Sequence, residues 1–284
     1  MTARDWPTIL DLAEKHVYRE TSEVGTAPTL RRLHYLLVSD AQARAAGYAN
    51  TVTDYKQLSA RTTKVRDAGE FPDLIDRGRS IEQADGWASA GDLLRSVASW
   101  FTLDRSTAMP VKVVLLVEKD GVVPLLQRRY GWLDVSAVKG YSSVSHADLL
   151  ADLEDFERET VGIYVGDYDP TGLDISRALA ERLPYPLRRI GLSKAQVIEH
   201  QLPPMPAKTT DSRMAGMIAA EGAAMQVELD ALPSSVLLDM VGTAITEETG
   251  VAIRDDGKPD LPDVDVSERQ QREALLELAR GWSA

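Results

Sequence analysis

The stretch Val161–Leu179, VGIYVGDYDPTGLDISRAL, begins as an apolar run, passes through a polar turn and ends as a helical pattern. Its first five residues are apolar and rich in strand-forming types, which predicts a short strand. Apolar residues three or four positions apart after Thr171 predict an amphipathic helix. Ligands of open α/β sheets bind beyond the carboxyl ends of the strands, so Asp167 and Asp169 stand where chemistry is expected.

These two carboxylates suit a metal ion. If the chain stays extended through Asp169, both side chains point to the same side. Like charges so close disfavour each other's ionisation unless a cation lies between them, and Mg²⁺ prefers oxygen ligands, with Mn²⁺ as an alternative. The letters Asp-Tyr-Asp-Pro-Thr-Gly also fit a plain turn, because Asp, Pro and Gly are common turn residues. The rest of the chain must separate these interpretations.

Composition predicts a globular protein. The chain has 284 residues, of which 44% are hydrophobic, and this is enough for a packed core. It has no cysteine, which excludes disulfides and thiolate metal sites. The sequence contains no apolar run of membrane-spanning length and no charged-then-apolar leader pattern, so we expect a soluble, cytoplasmic protein that does not bind membranes.

The net charge of −12 would argue against a nucleic-acid partner, because phosphate binding needs positive surface. The charge is unevenly distributed, however. Residues 1–108 carry 14 Lys and Arg against 15 Asp and Glu, whereas residues 228–284 carry 5 against 13. The front of the chain can therefore present local basic patches.

Residues 1–108 are predicted to form a helical domain of helix-turn-helix or winged-helix type. A second helix, with Thr26 as its cap and Pro28 in its first turn, carries Arg31 and Tyr35. These two residues are four positions apart, so they share one helix face. Basic residues of the next predicted helix and loop are candidates for phosphate contacts.

Residues 109–250 alternate between strand and helix patterns, which predicts parallel βαβ units in a doubly wound sheet. The strongest strand pattern, VKVVLLVEKD, ends at Glu118, so this carboxylate should meet Asp167 and Asp169 at one crevice. A long helix is predicted over residues 145–159. Residues 251–284 are predicted to form an acidic linker and a final amphipathic helix.

Several short motifs occur in an order that resembles a known family. They are Arg31-Arg32-Leu33-His34-Tyr35, Val117-Glu118-Lys119, Lys139-Gly140, Asp167-x-Asp169-Pro170-x-Gly172 and Glu228-Leu229-Asp230-Ala231-Leu232. Together they resemble the A subunit of topoisomerase VI and its meiotic double-strand-break relatives, over roughly residues 26–245. The resemblance implies a winged-helix domain followed by a Toprim domain. The chain is similar in its short length to free-standing A-type proteins of phages and mobile elements.

The resemblance implies a type IIB DNA topoisomerase or transesterase with a homodimeric, double-stranded DNA-cleaving site. Tyr35 would be the nucleophile and Arg31 would neutralise the phosphoryl oxygens. Glu118, Asp167 and Asp169 would hold Mg²⁺ or Mn²⁺, with Glu118 also a general acid or base. The candidate DNA contacts are Arg61, Lys64, Arg66, Arg79 and Lys139.

Two features depart from the family. His34 stands where the family commonly has a second aromatic residue, and the chain is compact. The sequence also has no Gly-rich ATPase motif of the kind that the partner B subunit carries. ATP-driven strand passage would therefore require a separate ATPase subunit of B type.

Three other functions stay open. A Toprim nuclease would use the metal site without attaching a tyrosine to DNA. A haloacid-dehalogenase-type phosphatase would use Asp167-x-Asp169-x-Thr171, with Asp255 and Asp256 as its downstream acidic pair. A non-catalytic DNA-binding subunit would need a partner for activity.

Overall fold

The computed structural model of the protein describes residues 4–75, 86–138, 144–205, 217–218 and 225–282. Its centre is a four-stranded parallel sheet with strand order β2-β1-β3-β4. The strands are β1 (Lys112–Val117), β2 (Asp134–Ala137), β3 (Thr160–Val165) and β4 (Leu187–Gly191). The predicted mixed α/β class with a parallel sheet is confirmed.

Helices precede, connect and follow these strands. They are α1 (Trp6–Val24), α2 (Leu30–Ser39), α3 (Ala41–Ala45), α4 (Val52–Asp67), α5 (Ala90–Trp100), α6 (Val123–Arg129), α7 (Val144–Ala151), α8 (Pro170–Ala180), α9 (Lys194–Glu199), α10 (Ser234–Thr249) and α11 (Pro262–Gly281). Short 3₁₀ turns cover Ser106–Ala108, Asp120–Val122 and Leu229–Ala231. None of the helices in the described ranges is long and apolar enough to cross a bilayer.

The sheet is covered on both faces, which explains why β1 and β3 are apolar at nearly every position. Side chains of Leu115 and Ile163 pack with α6 and α10, whereas Leu116 and Tyr164 pack with α7 and α8. Buried parallel strands need apolar residues on both sides, unlike strands with one solvated face. The two cores fix the sheet between helix layers.

The order of the strands creates a switch point. From β1 the chain moves to β2 on one side, then returns to place β3 on the other side of β1. In register, Val117 of β1 pairs with Val165 of β3. The residues after these two strands therefore emerge side by side at the edge where open α/β sheets bind ligands.

The described N-terminal residues form a separate helical core. It includes Ile9 and Val17 of α1, Leu33 and Leu37 of α2, and Leu58 of α4. Within residues 4–75 and 86–108 the only β-type pairing is an isolated bridge between Thr29 and Ile75. The helical character agrees with the prediction, while the winged-helix arrangement stays a prediction.

Two predicted element boundaries are wrong. The cap of α2 is Thr29, whose hydroxyl accepts a hydrogen bond from Arg32 N at 3.1 Å, so the helix starts after Pro28 rather than from a Thr26 cap. Helix α7 ends at Ala151 and does not reach residue 159. Downstream, the Asp155 carboxylate accepts from Glu157 N and Arg158, a local pattern that competes with helix.

Helix α11 returns to the N-terminal half and packs against α5. Arg105, with 2% of its side chain exposed, binds Asp265 at 2.7 Å and Glu268 at 2.9 Å. The Glu268 carboxylate also accepts from Leu103 N at 3.0 Å. Residues 254–266 are predicted to be an exposed linker before a helix that starts at Ser267. They instead form a turn, in which Gly257 O accepts from Trp132 Nε1 at 2.8 Å, and the start of α11 at Pro262.

We expect Arg105→Ala to lower the free energy of unfolding by about 3–5 kcal/mol, because it leaves buried Glu268 without its main cation. Urea denaturation followed by circular dichroism measures the loss. Arg177→Ala is the matched control, since Arg177 forms exposed ion pairs on α8 and its loss should matter little. Equal unfolding midpoints for the two variants would contradict a structural role for Arg105.

Candidate functional site

Glu118 and Asp167 meet at the ends of adjacent strands. Glu118 follows β1 directly, and its Oε2 accepts a hydrogen bond from Asp167 N at 2.9 Å. A methyl group at position 172 would lie 2.9 Å from Glu118 Oε2 and 2.5 Å from the Asp167 carbonyl oxygen. Gly172, in the first turn of α8, therefore makes the space into which the Glu118 carboxylate fits.

A third segment completes this edge. Residues 228–232, named here the acidic turn, follow a bridge between Tyr168 and Val227 in which each backbone N donates to the other's carbonyl. Leu229 N then donates to Asp167 Oδ1 at 2.8 Å. These backbone contacts bring Glu228 and Asp230 beside Asp167.

Lys119 lies among these carboxylates. Its Nζ is 2.7 Å from Asp167 Oδ2, 3.3 Å from Glu228 Oε2 and 3.9 Å from Asp230 Oδ2. Burial alone would lower the pKa of Lys119, but these three carboxylates outweigh burial and raise it. Glu118, Lys119, Asp167, Glu228 and Asp230 together form what we call the strand-end site.

Sequence reasoning missed three members of this site. Lys119 and the acidic pair Glu228 and Asp230 stand inside quoted motifs, yet they received no role. Two features of the sequence could have indicated these residues. Lys119 directly follows a glutamate that ends a strand, and Glu228 and Asp230 are the acidic positions of the acidic turn. Their convergence depends on the backbone bridge between Tyr168 and Val227, which periodicity does not predict.

Arg31 connects the helical domain to the strand-end site. Its Nη1 lies 2.6 Å from Glu228 Oε2, and its guanidinium carbon lies 5.5 Å from the centre of the Tyr55 ring. The adjacent Arg32 is buried, pairs with Glu20 at 2.9 Å and donates to the Asp230 and Leu232 carbonyl oxygens. Consecutive arginines thus dock α2 on the acidic turn.

Burial dominates the protonation of the carboxylates. Burial, with repulsion from Asp167, raises the pKa of Glu118 to about 7. Burial likewise raises the pKa of Asp167 and of Asp230 despite the attraction of Lys119. Glu228 differs, because Lys119 and Arg31 together outweigh its burial and lower its pKa. One carboxyl at this site can therefore exchange a proton near neutral pH.

Asp169 serves the helix beside the site. Its Oδ1 accepts from Gly172 N at 2.6 Å, which makes it the N-cap of α8. This is the turn interpretation of the motif, realised for one of its two aspartates. Across the described residues, no group of three or more His, Asp or Glu side chains is placed to hold a metal ion.

The donor chemistry nevertheless suits a hard divalent cation. Glu118 and Asp167 contribute carboxylate oxygens, which Mg²⁺ and Mn²⁺ accept. Burial raises the pKa of both carboxyls, and repulsion from Asp167 adds to the shift of Glu118. Asp169 would have to leave its cap to become a third ligand, and Lys119 would have to release Asp167.

Tyr35 lies inside the core rather than in the crevice. Its ring is 2% exposed, and its hydroxyl donates to Met205 Sδ at 3.2 Å. Burial is the largest cause that raises its pKa, and the Glu228 carboxylate adds to the effect. The neighbouring His34 is also buried, with its ring nitrogens 2.7 Å from Tyr48 Oη and 3.2 Å from Asn50 Oδ1.

The structure describes three of the candidate DNA contacts, all on α4. Arg61 lies over the Trp6 ring at 4.5 Å, Lys64 is exposed, and Arg66 lines a cleft beside Arg31. Arg79 and Lys139 lie outside the described residues.

No protein-family model matches the chain, and no curated protein does.

We expect Gly172→Ala to destabilise the fold by about 1–3 kcal/mol, because the added methyl group would meet backbone 2.5 Å away. Thermal and urea unfolding measure the change. Gly121→Ala is the matched control, since a methyl group at that nearby position meets nothing within 4 Å. Unchanged unfolding of Gly172→Ala would show that the space beside Glu118 is not constrained.

The raised pKa of Glu118 predicts a pH dependence of stability in metal-free buffer. A folded-state pKa of about 7, against the ordinary 4.5, means that the folded chain holds a proton that the unfolded chain has lost. This contribution is fully present below the unfolded pKa and is lost as pH rises through the folded pKa. Glu118→Gln cannot lose a proton, so its urea midpoint should fall less than wild type between about pH 5 and about pH 8.

The control for that series is Glu277→Gln, an exposed position on α11. Its midpoint should follow wild type at each pH. Parallel curves for wild type and Glu118→Gln would contradict the raised pKa.

Proposed function

We propose that the protein cuts DNA by metal-dependent phosphoryl transfer, through a tyrosine-linked intermediate of the topoisomerase VI A-subunit kind. The observation that supports this best is the meeting of Glu118 and Asp167 at the switch point of a parallel sheet, with the Arg31 helix docked on the same edge. The Toprim and winged-helix arrangement belongs to this proposal.

Glu118 and Asp167 would hold the Mg²⁺ or Mn²⁺ ion, with Asp169 as a further ligand. When bound, such an ion supplies positive charge that stabilises oxygens which gain negative charge in phosphoryl transfer. The remaining contributions come from the chain itself. Lys119 and Arg31 place two cations at the same edge, and each would bind a phosphodiester on giving up its carboxylate partner.

In the proposed step, the Tyr35 oxygen forms a bond to phosphorus as the bond between phosphorus and the 3′ oxygen breaks. The phenol gives up its proton, and the departing 3′ oxygen takes one up to become a free hydroxyl. Glu118 is the proposed general acid or base that holds or delivers a proton in this exchange. Because an ester replaces an ester, the cut is reversible without an external energy source.

The burial of Tyr35 favours a second candidate function, that of a metal-dependent nuclease whose site lies at the same edge of the sheet. With its ring buried and its hydroxyl bound to Met205 Sδ, Tyr35 must first be exposed by a movement of the chain before it can reach a phosphodiester. Hydrolysis at Glu118 and Asp167 needs no such movement. Water would then attack phosphorus, and the products would carry no attached protein.

The remaining alternatives have less support. Asp256 binds Arg254 and Lys258 N within its own turn, so its contacts do not connect it to the Asp167 motif of a phosphatase. A non-catalytic subunit would not require the carboxylates to converge. A homodimer on double-stranded DNA, an ATPase partner of B type and a cytoplasmic location accompany the main proposal as predictions.

The decisive experiment incubates supercoiled plasmid with the protein and Mg²⁺ or Mn²⁺, denatures the products, and compares gels with and without proteinase. The tyrosine mechanism predicts DNA ends whose mobility changes after proteinase, and none with Tyr35→Phe. Glu118→Gln and Asp167→Asn should reduce cleavage by about 100-fold or more, since both residues would hold the metal ion that stabilises the transferred phosphoryl group.

Tyr18→Phe is the control, because Tyr18 is exposed on α1. This variant should cleave DNA as the wild-type protein does. Free ends that persist in Tyr35→Phe would establish the nuclease instead. Intact plasmid with every metal would contradict both forms of the proposal.

A further inference from the structure

Arg189 lies on β4, the strand that borders β3 on the side away from β1. It pairs in register with Tyr164, and the pairing then shifts, so that Gly191 instead of Ile190 is opposite Val165. Such a β-bulge bends a strand and redirects its side chains. The guanidinium carbon of Arg189 lies 5.4 Å from the centre of the buried Tyr164 ring. The Arg189 side chain therefore crosses over β3, close to the residues that follow this strand.

The guanidinium group of Arg189 binds the backbone of three segments around the strand-end site. Its Nη2 donates to the Asp167 carbonyl oxygen at 2.6 Å, and its Nη1 donates to the Gly172 carbonyl oxygen at 3.1 Å. Longer bonds of 3.3 Å run from Nη2 to the Gly166 and Leu192 carbonyl oxygens. One side chain thus joins the residues after β3, the first turn of α8 and the residues after β4.

These bonds bridge the turn that carries Asp167. A methyl group at position 172 would lie 2.5 Å from the Asp167 carbonyl oxygen, so residues 167 and 172 already approach each other closely. Arg189 binds the carbonyl oxygens of both residues. It is therefore placed to fix the turn from which Asp167 N reaches the Glu118 carboxylate.

The partners of Arg189 are unusual for an enclosed guanidinium group. In the part of the chain that the structure describes, its hydrogen bonds go to carbonyl oxygens and none goes to a carboxylate, whereas the buried Arg32 and Arg105 both pair with glutamates. Burial lowers the pKa of Arg189, and attraction to Glu118 and Asp167 opposes this shift only in part. An uncharged side chain would avoid that cost, but it would lack the planar fork that reaches two carbonyl oxygens with separate nitrogens.

We propose that Arg189 is the positioning residue of the strand-end site, which holds Asp167 beside Glu118 by bracing the Asp167 and Gly172 carbonyl oxygens. The inference rests on the proposed function where it concerns a divalent cation, because Asp167 and Glu118 would be ligands of that ion. The bracing of the turn itself does not depend on the reaction. Side chains that orient metal ligands from outside change metal affinity by roughly 10- to 100-fold when they are replaced.

The test compares Mn²⁺ binding by Arg189→Met and Arg188→Met, measured by titration calorimetry. Arg188 is the matched control, because it lies next to Arg189 on β4 but pairs with Glu247 and Glu248. Arg189→Met should bind Mn²⁺ about tenfold more weakly than wild type, since the turn is no longer braced. The direction separates positioning from charge, because the loss of a nearby positive charge would by itself strengthen the binding of a cation.

Hydrogen exchange in metal-free buffer is the second measurement. Asp167 N donates to the Glu118 carboxylate and Leu229 N to the Asp167 carboxylate. Both amides should exchange about tenfold faster in Arg189→Met, while Leu115 N in the core of β1 keeps its wild-type rate. Arg189→Lys keeps the charge and one nitrogen donor, so it should show the same changes at smaller size. It replaces the methionine variant if that variant does not fold.

In a wild-type protein that binds Mn²⁺, equal or tighter binding by Arg189→Met would overturn the inference. Wild-type exchange of Asp167 N in Arg189→Met would overturn it as well, whether or not Mn²⁺ binds. A wild-type protein that neither binds Mn²⁺ nor cleaves plasmid would reject the proposed function. Faster exchange confined to the Arg189 variants, and absent from Arg188→Met, would in that case still uphold the positioning of Asp167 by Arg189.

Discussion

The hydrogen bond from Asp167 N to the Glu118 carboxylate holds the site together. It joins the ends of the two central strands at the switch point. The carboxylate fits there because position 172 lacks a side chain. From this contact Asp167 is placed, Asp167 fixes the acidic turn through Leu229 N, and the acidic turn receives α2.

The strand-end site concentrates negative charge, and two cationic side chains of the same chain partly neutralise it. Lys119 contacts three carboxylates, and Arg31 pairs with Glu228. The compensation is uneven, since Glu228 has a lowered pKa while Glu118 and Asp167 have raised ones. A cation arriving at Glu118 would therefore favour the ionised forms of Glu118 and Asp167, which burial disfavours.

Much of the sheet could be predicted from the sequence, because buried parallel strands have an apolar pattern with little ambiguity. The ends of β1 and β3 also identified Glu118 and Asp167. Periodicity could not show that Asp169 caps α8, since a capping aspartate and a metal-binding aspartate follow the same strand with the same letters. It also could not place Glu228 and Asp230, whose position depends on backbone pairing between Tyr168 and Val227.

Tyr35 shows a different limit. Sequence spacing correctly put Arg31 and Tyr35 on one face of a helix, but the two side chains have opposite environments. Arg31 reaches the acidic turn, whereas Tyr35, one turn further along, is enclosed in the core with its hydroxyl on Met205. The exposure of a helical side chain depends on what packs against that face of the helix. For Tyr35 the partner is Met205, about 170 residues away in the chain.

That enclosure links mechanism to the domain interface. Arg31 and Tyr35 both lie on α2. A movement of α2 therefore changes the contacts of Arg31 with the carboxylates and the burial of Tyr35 together. A movement of α2 that exposed Tyr35 would also break the ion pair of Arg31 with Glu228 and the hydrogen bonds of Arg32 to the Asp230 and Leu232 carbonyls. Water-mediated cleavage leaves all of them intact. The choice between a tyrosine transesterase and a nuclease is therefore also a choice between a helical domain that undocks during each reaction and one that stays in place.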